Sequence, residues 1–217
     1  MVYSNLRLAK RVFTAILASL VFCTSPIAAP LTSADLGDIA RLETYLNSIR
    51  SLKARFLQTD PDGSSKEGKA WIERPGKMRF EYDPPTPLLL IVGYGVGFLI
   101  DKKLQQTNNF PVFSSPLSIF LGDIVKLSDS VTVDGIERLP GQIQVTVHQS
   151  ASPRDGQLKL VFADHPLSLR QWAVIDTQRR ETRVSLFNIE LGGKFDPKLF
   201  LNSSPDQNSN GGNQPLR

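Results

Sequence analysis

The chain has one cysteine, Cys23, and two histidines, His148 and His165. A single thiol excludes a disulfide framework, and two imidazoles without cysteine partners exclude a Cys/His metal cluster. Gly93, Gly95 and Gly97 stand close together, but no Lys-Ser/Thr pair follows and no helix begins there. They read as a hairpin turn rather than a phosphate-binding loop. There is no nucleophile elbow and no cysteine placed to act as a nucleophile. His148 lies among polar neighbours on a candidate strand, and His165 stands before Pro166 in a turn. Neither reads as a general base. The carboxylates Glu73, Glu81, Asp83 and Asp101 are interspersed with basic residues, and their spacing singles out no acid/base pair. The chain reads as a binder rather than an enzyme, with no cofactor and no metal.

Charge is equally unpronounced. The 217 residues include 25 Lys plus Arg and 21 Asp plus Glu, a formal net charge of +4, with 41% apolar and 21% charged residues. That is an ordinary globular composition, long enough for one domain with a real core. The basic excess is concentrated at the start. Residues 1–29 hold Arg7, Lys10 and Arg11 and no acidic residue, leaving 22 basic against 21 acidic residues in the remainder. Nucleic-acid binding, which needs a dense basic face, is not expected. The one long apolar run, residues 12–23, follows those three cations and precedes Pro26-Ile27-Ala28-Ala29. It is too short to span a membrane as a stable helix and has the order of a secretory signal peptide, cut after Ala28 or Ala29. A lipidated cysteine would follow a small residue; Phe22 precedes Cys23, which therefore reads as an ordinary signal-peptide residue lost on cleavage. Three regions are expected: a signal peptide over 1–29, one domain over 30–201, and a polar tail over 202–217 (NSSPDQNSNGGNQPLR) that buries too little to order itself.

Residues 35–51 predict an amphipathic helix, with Ser33 as N-cap, Asp35 in the first turn and Leu36, Ile39, Leu42, Leu46 and Ile49 near helical spacing. From Leu52 the period changes to two. Strands are predicted over 52–59, 67–73, 77–83, 88–92, 96–101, 104–108, 130–137, 142–149, 157–163, 167–176 and 181–191, each bounded by turn residues. About eleven antiparallel strands without a long intervening helix imply one large sheet, sandwich or barrel. One stretch breaks the rhythm. In FPVFSSPLSIFL, residues 110–121, Ser115 before Pro116 reads as a helix start, and Leu117, Ile119, Phe120 and Leu121 form a short apolar helix ended by Gly122. It is either a plug at one end of the sheet or a lid over an apolar cavity. A curved sheet too large to fill with its own side chains can enclose a hydrophobic ligand.

The segment GKAWIERPGKMRFEYDPP, residues 68–85, carries a more specific signal. Phe56-Leu57-Gln58, Gly68, Trp71, Arg74-Pro75-Gly76, Met78-Arg79-Phe80, and Tyr82 with Pro84-Pro85 follow one another in the order and spacing of the outer-membrane lipoprotein carrier family (LolA type), which this chain resembles over residues 33–200. Ile91-Val92, Asp101, Leu104-Gln105 and Ser115-Pro116-Leu117 with Phe120-Leu121 extend the likeness. Gly93-Tyr94-Gly95 stands where the family has Asp-Gly, a departure that a glycine-rich turn accommodates. The resemblance implies a mainly β fold with short helices: an unclosed antiparallel β-barrel with an N-terminal helix and a helical lid over an apolar cavity. It implies a monomeric periplasmic protein of a Gram-negative cell, soluble after loss of the signal peptide. That protein would take acylated lipoprotein cargo from an inner-membrane lipoprotein-releasing ABC transporter and pass it to an outer-membrane lipoprotein receptor. Arg74 falls at the arginine that holds the lid closed through lid backbone carbonyls. Met78, Trp71, Phe80 and Tyr82 fall at the cavity mouth and lining, and Pro116, Leu117, Ile119, Phe120 and Leu121 in the lid. The readings that remain beside it are a periplasmic binder of another lipid and the lipid-anchored receptor relative of the same fold.

Overall fold

The computed structural model describes residues 30–202; the signal peptide and most of the polar tail expected from the sequence lie outside the described residues. The first element, α1 (Ser33–Ser48), opens on Thr32 rather than Ser33. Thr32 Oγ1 accepts from the Asp35 amide while the Asp35 carboxylate accepts from the Thr32 amide, a reciprocal capping box that satisfies two of the orphan donors of a helix start. The helix also ends earlier than its periodicity suggests, because Ile49 turns to extended backbone and starts the run into the first strand.

Eleven strands follow: β1 (Ser51–Thr59), β2 (Ser65–Glu73), β3 (Lys77–Tyr82), β4 (Leu88–Gly93), β5 (Val96–Asp101), β6 (Gln106–Pro111), β7 (Val131–Leu139), β8 (Gln142–Gln149), β9 (Gln157–Ala163), β10 (Ser168–Ile175) and β11 (Glu181–Leu191). All eleven expected strands are present. The sixth is displaced toward the C-terminus: the Asp101 carboxylate accepts from the amides of Lys103 and Leu104 and Gln105 takes φ 54°, so residues 102–105 are the turn.

The strands form one antiparallel sheet in the order β6-β5-β4-β3-β2-β1-β11-β10-β9-β8-β7. Two meanders, β1 to β6 and β7 to β11, are joined where the first and last strands, β1 and β11, pair with each other. The two edges, β6 and β7, are consecutive in the chain. Ten antiparallel pairings in a row leave those edges running in the same direction. They cannot be joined by a hairpin, since parallel neighbours need a crossover connection. Residues 112–130 supply it, with a 3-10 turn (Val112–Ser114) and the short helix α2 (Leu117–Leu121). An odd strand number thus accounts for both features at once: the barrel stays unclosed, and the segment at its opening is helical.

Alternation sets the two faces. Ala54 and Phe56 of β1, Ala70 and Ile72 of β2, Met78, Phe80 and Tyr82 of β3, and Val145, Val147, Leu158, Leu160 and Phe162 of β8 and β9 belong to one buried core. Ile39, Leu42 and Leu46 of α1 and Ile119, Phe120 and Leu121 of α2 close it. Gly68 lets this core form across strands. A Cβ there would lie 2.2 Å from the Glu81 carbonyl oxygen and 2.6 Å from the Phe56 ring, so only glycine permits that ring to lie over β2. On the other face, residues 192–202 run back over the sheet, and the 3-10 turn Pro197–Phe200 packs on β3 and β4.

Candidate functional site

The candidate site is the opening of the barrel and the helix that fills it. α2 is only five residues long, and its first residue follows Pro116. Ser115 Oγ accepts from the Leu117 amide at 3.3 Å, and Gly122 ends the helix, as the sequence predicts. Such a short helix is not stable on its own propensity, so what holds it is packing. Phe120 is fully buried and stacks on Trp172, with centroids 5.8 Å apart and planes at 29°. Trp172 meets Phe80 edge-on at 5.9 Å, Phe80 lies 4.6 Å from Phe56, and Phe56 meets Tyr82 edge-on at 5.1 Å. An aromatic ladder therefore runs from α2 across the interior of the sheet. Its far end is fixed by the Tyr82 hydroxyl, which donates to Gln58 Oε1 at 2.6 Å; burial pushes that phenol up to about 12. The apolar interior is occupied by the protein's own α2.

Arg74 stands where α1, α2 and the β2–β3 turn meet. It is 5% exposed, yet no carboxylate lies against its guanidinium. All five N–H donors are spent on oxygens. Nε donates to the Gly122 carbonyl (2.9 Å), and Nη1 to the carbonyls of Leu46 (2.5 Å) and Ile49 (3.2 Å). Nη2 donates to the Asp123 carbonyl (3.0 Å) and Asn47 Oδ1 (3.3 Å). Leu46 and Gly122 are at the C-terminal ends of α1 and α2, where carbonyls are short of helical partners and the helix dipole is negative; the Leu46 carbonyl also accepts from the Ile49 cap amide at 3.2 Å. One cation serves both ends. Burial, and secondarily the neighbouring Arg50, hold its pKa below the usual arginine value, partly offset by Asp123. The adjacent turn adds a bond from the Gly76 amide to the Leu121 carbonyl at 2.9 Å.

Of the residues named from the sequence, Arg74, Met78, Phe80, Tyr82, Ile119, Phe120 and Leu121 are all buried around this interior, with Pro116 at the start of α2 and Leu117 partly buried against the core. Trp71 does not join them. It stands between the inward-facing Ala70 and Ile72 and opposite Arg79, on the outer face of the sheet. Trp172 is not legible from alternation, because a bulge between Leu169 and Gln171 in β10 breaks the pattern, so Leu169 and Trp172 face the same way at odd spacing. Asn47, which bonds Arg74, and Glu43, whose Oε1 accepts from the Leu127 amide, are not legible either, because a helix's polar face carries no period that marks a partner.

Two apolar grooves flank α2. One, about 440 Å³, includes Phe113, Ile119, Ile124, Val131 and Ala151. The other, about 430 Å³, includes Pro75, Tyr94, Val112, Phe113 and Leu121. Phe113, Ser118 and Gly122 belong to both. Tyr94 (85% exposed), Phe113 (74%) and Ile124 (64%) stand around them, large apolar side chains held in solvent beside a helix that plugs the core. The arrangement can exchange one apolar filling for another; it assembles no nucleophile and base. Among the described residues no group of His, Cys, Asp and Glu is placed to hold a metal ion, and no helix is long and apolar enough to cross a membrane.

Comparison with known proteins bears on the family of the chain. The family model "Outer membrane lipoprotein carrier protein LolA" matches residues 47–202. The outer-membrane lipoprotein carrier protein of Chromohalobacter salexigens is 26% identical over 190 residues, covering 83% of this chain and 90% of its own length. That of Methylococcus capsulatus is 26% identical over 175 residues, covering 76% and 83%. Among solved structures, a LolA superfamily protein from Nitrosomonas europaea aligns over 76% of this chain and 97% of its own at 6% identity, with a TM-score of 0.41.

Proposed function

The chain belongs to the LolA family of outer-membrane lipoprotein carriers, and from that premise we propose that it carries the acyl chains of lipoproteins across the periplasm, from an inner-membrane releasing transporter to an outer-membrane receptor. The observation that carries this reading is the pairing of a short apolar plug with a buried arginine that holds it. Ile119, Phe120 and Leu121 fill the interior, and Arg74 ties the end of that helix to the end of α1 through backbone carbonyls of both.

The energetics suit a carrier. Burying acyl chain is worth about 0.8 kcal/mol per methylene, so roughly ten buried methylenes supply about 8 kcal/mol. Cargo that enters the interior must first displace α2, and so forfeits the packing of Phe120 on Trp172 and the Arg74 bonds. Charge-assisted hydrogen bonds of that kind contribute about 1–3 kcal/mol. The carrier's net affinity is the difference, and the closed, empty state is what makes release to a receptor downhill. Arg74 is the gate, α2 the lid, and Met78, Phe80 and Tyr82 are the wall against which acyl chains would lie. Trp71, on the outer face, has no place in that wall.

The test is Arg74→Leu in a purified transfer system with an acylated lipoprotein. The variant should load cargo and hand it to the receptor at least about tenfold more slowly, the equivalent of about 1.4 kcal/mol of lost closed-state stability. Transfer at the wild-type rate would remove the gate. Native mass spectrometry of the protein from the periplasm separates the remaining readings: free lipid in place of lipoprotein would make it a binder of other lipids.

A further inference from the structure

The contacts that hold α2 and those that hold the chain after it belong to different residues. Beyond Gly122 the chain bends through Asp123 and Ile124 and then alternates: Val125 and Leu127 are buried (1% and 2% exposed), whereas Asp123, Ile124 and Lys126 face solvent. No strand pairs with it. The Asp123 carbonyl accepts from Arg74 and from Arg50 Nη1 at 3.0 Å, and the backbone of Val125 and Leu127 is satisfied by side chains of α1. Asn47 Nδ2 donates to the Val125 carbonyl at 2.9 Å, and Asn47 Oδ1 accepts from the Val125 amide at 2.8 Å. Glu43 Oε1 accepts from the Leu127 amide at 2.6 Å. The spacing explains why a helix can stand in for a strand. Residues four apart on a helix recur about every 5–6 Å, and residues two apart in extended chain about every 6.6 Å. Glu43 and Asn47 present one turn of α1 as a substitute strand edge.

α1 is a fixed platform for this. Arg138 of β7 donates to Asp38 (2.8 Å) and Asp35 (2.7 Å) at its start. Arg41 pairs with Asp164 at 2.8 Å, and the Tyr45 hydroxyl accepts from the Leu169 amide at 3.0 Å. α2, by contrast, hangs on Arg74 through Gly122, on the Gly76–Leu121 bond, and on Gln149, whose Nε2 donates to Ser118 Oγ at 2.5 Å. The two sets meet only at the Gly122–Asp123 junction, where Arg74 bonds both carbonyls, and at Asn47 Oδ1.

We propose that Glu43 and Asn47 are positioning residues of the gate. They keep residues 123–127 on α1 whether α2 is in or out, so that opening is a hinge at the Gly122–Asp123 junction and only residues 112–122 move. The inference rests on the lid reading. It adds what that reading leaves open: which part of the long crossover is the lid, and what stops the rest from peeling away with it. A lid confined to 112–122 uncovers the Trp172–Phe80 ladder without exposing Val125 and Leu127, so the apolar surface offered to cargo is the surface α2 vacates.

Residue-resolved amide hydrogen exchange on the full protein, without cargo, tests this directly, because the Val125 and Leu127 amides report their side-chain acceptors. In Arg74→Leu, exchange at Ile119 and Gly122 should rise at least about tenfold while Val125 and Leu127 keep wild-type protection. Glu43→Ala should deprotect Leu127, and Glu43→Gln, which retains an acceptor oxygen, should restore it. Asn47→Ala should deprotect Val125. If Arg74→Leu does not fold, Phe120→Ala loosens α2 without touching either set of bonds and must give the same contrast. Val125 and Leu127 exchanging in step with α2 would overturn the hinge and make the whole crossover one moving body. Leu127 protection unchanged in Glu43→Ala would overturn the role of Glu43. Neither result depends on cargo: if the protein proves to carry no lipoprotein, the exchange pattern still decides the hinge, and if the hinge fails while Arg74→Leu still slows transfer, the carrier reading stands.

Discussion

At single residues, the sharpest constraint is at Gly68. Phe56 reaches over β2 to meet Phe80 and Tyr82 only because that strand has no side chain there. The obstacle to a methyl group includes backbone, the Glu81 carbonyl oxygen, so the ring moving aside is not enough. Gly68→Ala should therefore cost about 1–3 kcal/mol, typical of overpacking, and should change the near-ultraviolet aromatic signal together with the urea midpoint. A midpoint unchanged from wild type would mean the ladder tolerates the intrusion. Tyr82, at the end of the same ladder, makes stability depend on alkaline pH. Its phenol titrates near 10.0 when unfolded and at about 12 when folded, because burial favours the neutral form. The sign follows: the contribution is complete below about pH 10 and is lost as pH rises from there toward about 12. The gap between the folded and unfolded values corresponds to about 2–3 kcal/mol. The wild type should lose stability across that window relative to Tyr82→Phe, as measured by urea midpoints at stepped pH; parallel curves would place the phenol in a wetter site.

At the scale of elements, α2 stands apart because its helical state is borrowed from what it touches. Five residues cannot sustain a helix, so Phe120 on Trp172 and Arg74 on the terminal carbonyls are what make it one. Trp172 is consequently a natural reporter of α2. Phe120→Ala removes its stacking partner and should shift tryptophan emission to the red at temperatures where far-ultraviolet dichroism still shows an intact sheet. In a Trp71→Phe background, where Trp172 is the sole indole, the shift should be the same or larger; no shift would mean that Trp172 stays covered without α2. The sequence made the strands legible where, as in β3 and β8, residues alternate between faces of different polarity, and elsewhere, as in the all-apolar β4, through bounding Gly, Pro, Asn or Asp. It made α2 legible through Ser115-Pro116 and Gly122. It did not reveal the bulge that turns Trp172 inward, since a bulge changes pairing and leaves the composition untouched. Likeness to a family put Trp71 in the lining, whereas Ala70 and Ile72 on either side occupy the inner face of β2. The role of α1's polar face was invisible for a related reason: Glu43 and Asn47 bond to backbone, which any sequence offers.

For the whole molecule, the odd strand count governs what can move. A sheet of eleven antiparallel strands ends in parallel edges, so the connection between them must be long. That one long connection contains α2, while hairpins elsewhere leave little slack. The other long irregular stretch, residues 192–202, has the opposite task. It crosses the outer face, where Phe200 is 3% exposed, Arg79 Nη1 donates to the Leu199 carbonyl at 3.1 Å, and the Lys77 ammonium sits 5.8 Å above the Phe200 ring. Leu89 and Ile91, on the outer face of β4, are buried at 8% and 2% exposure. This strap braces β3 and β4 from outside, the wall opposite Trp172 in the ladder. Its attachment can be broken without opening the core. Phe200→Ala should free the strap by local unfolding, whose cost is smaller than that of the global transition. Trypsin should then cut after Lys194 and Lys198 at least about tenfold faster than in the wild type, with the remaining sheet uncut and cooperative on heating. Cleavage at the wild-type rate would mean that the backbone bond from Arg79 suffices to hold the strap. Cleavage accompanied by collapse of the whole domain would mean that the strap belongs to the core's cooperative unit, and that the wall β3–β4 cannot stand without it.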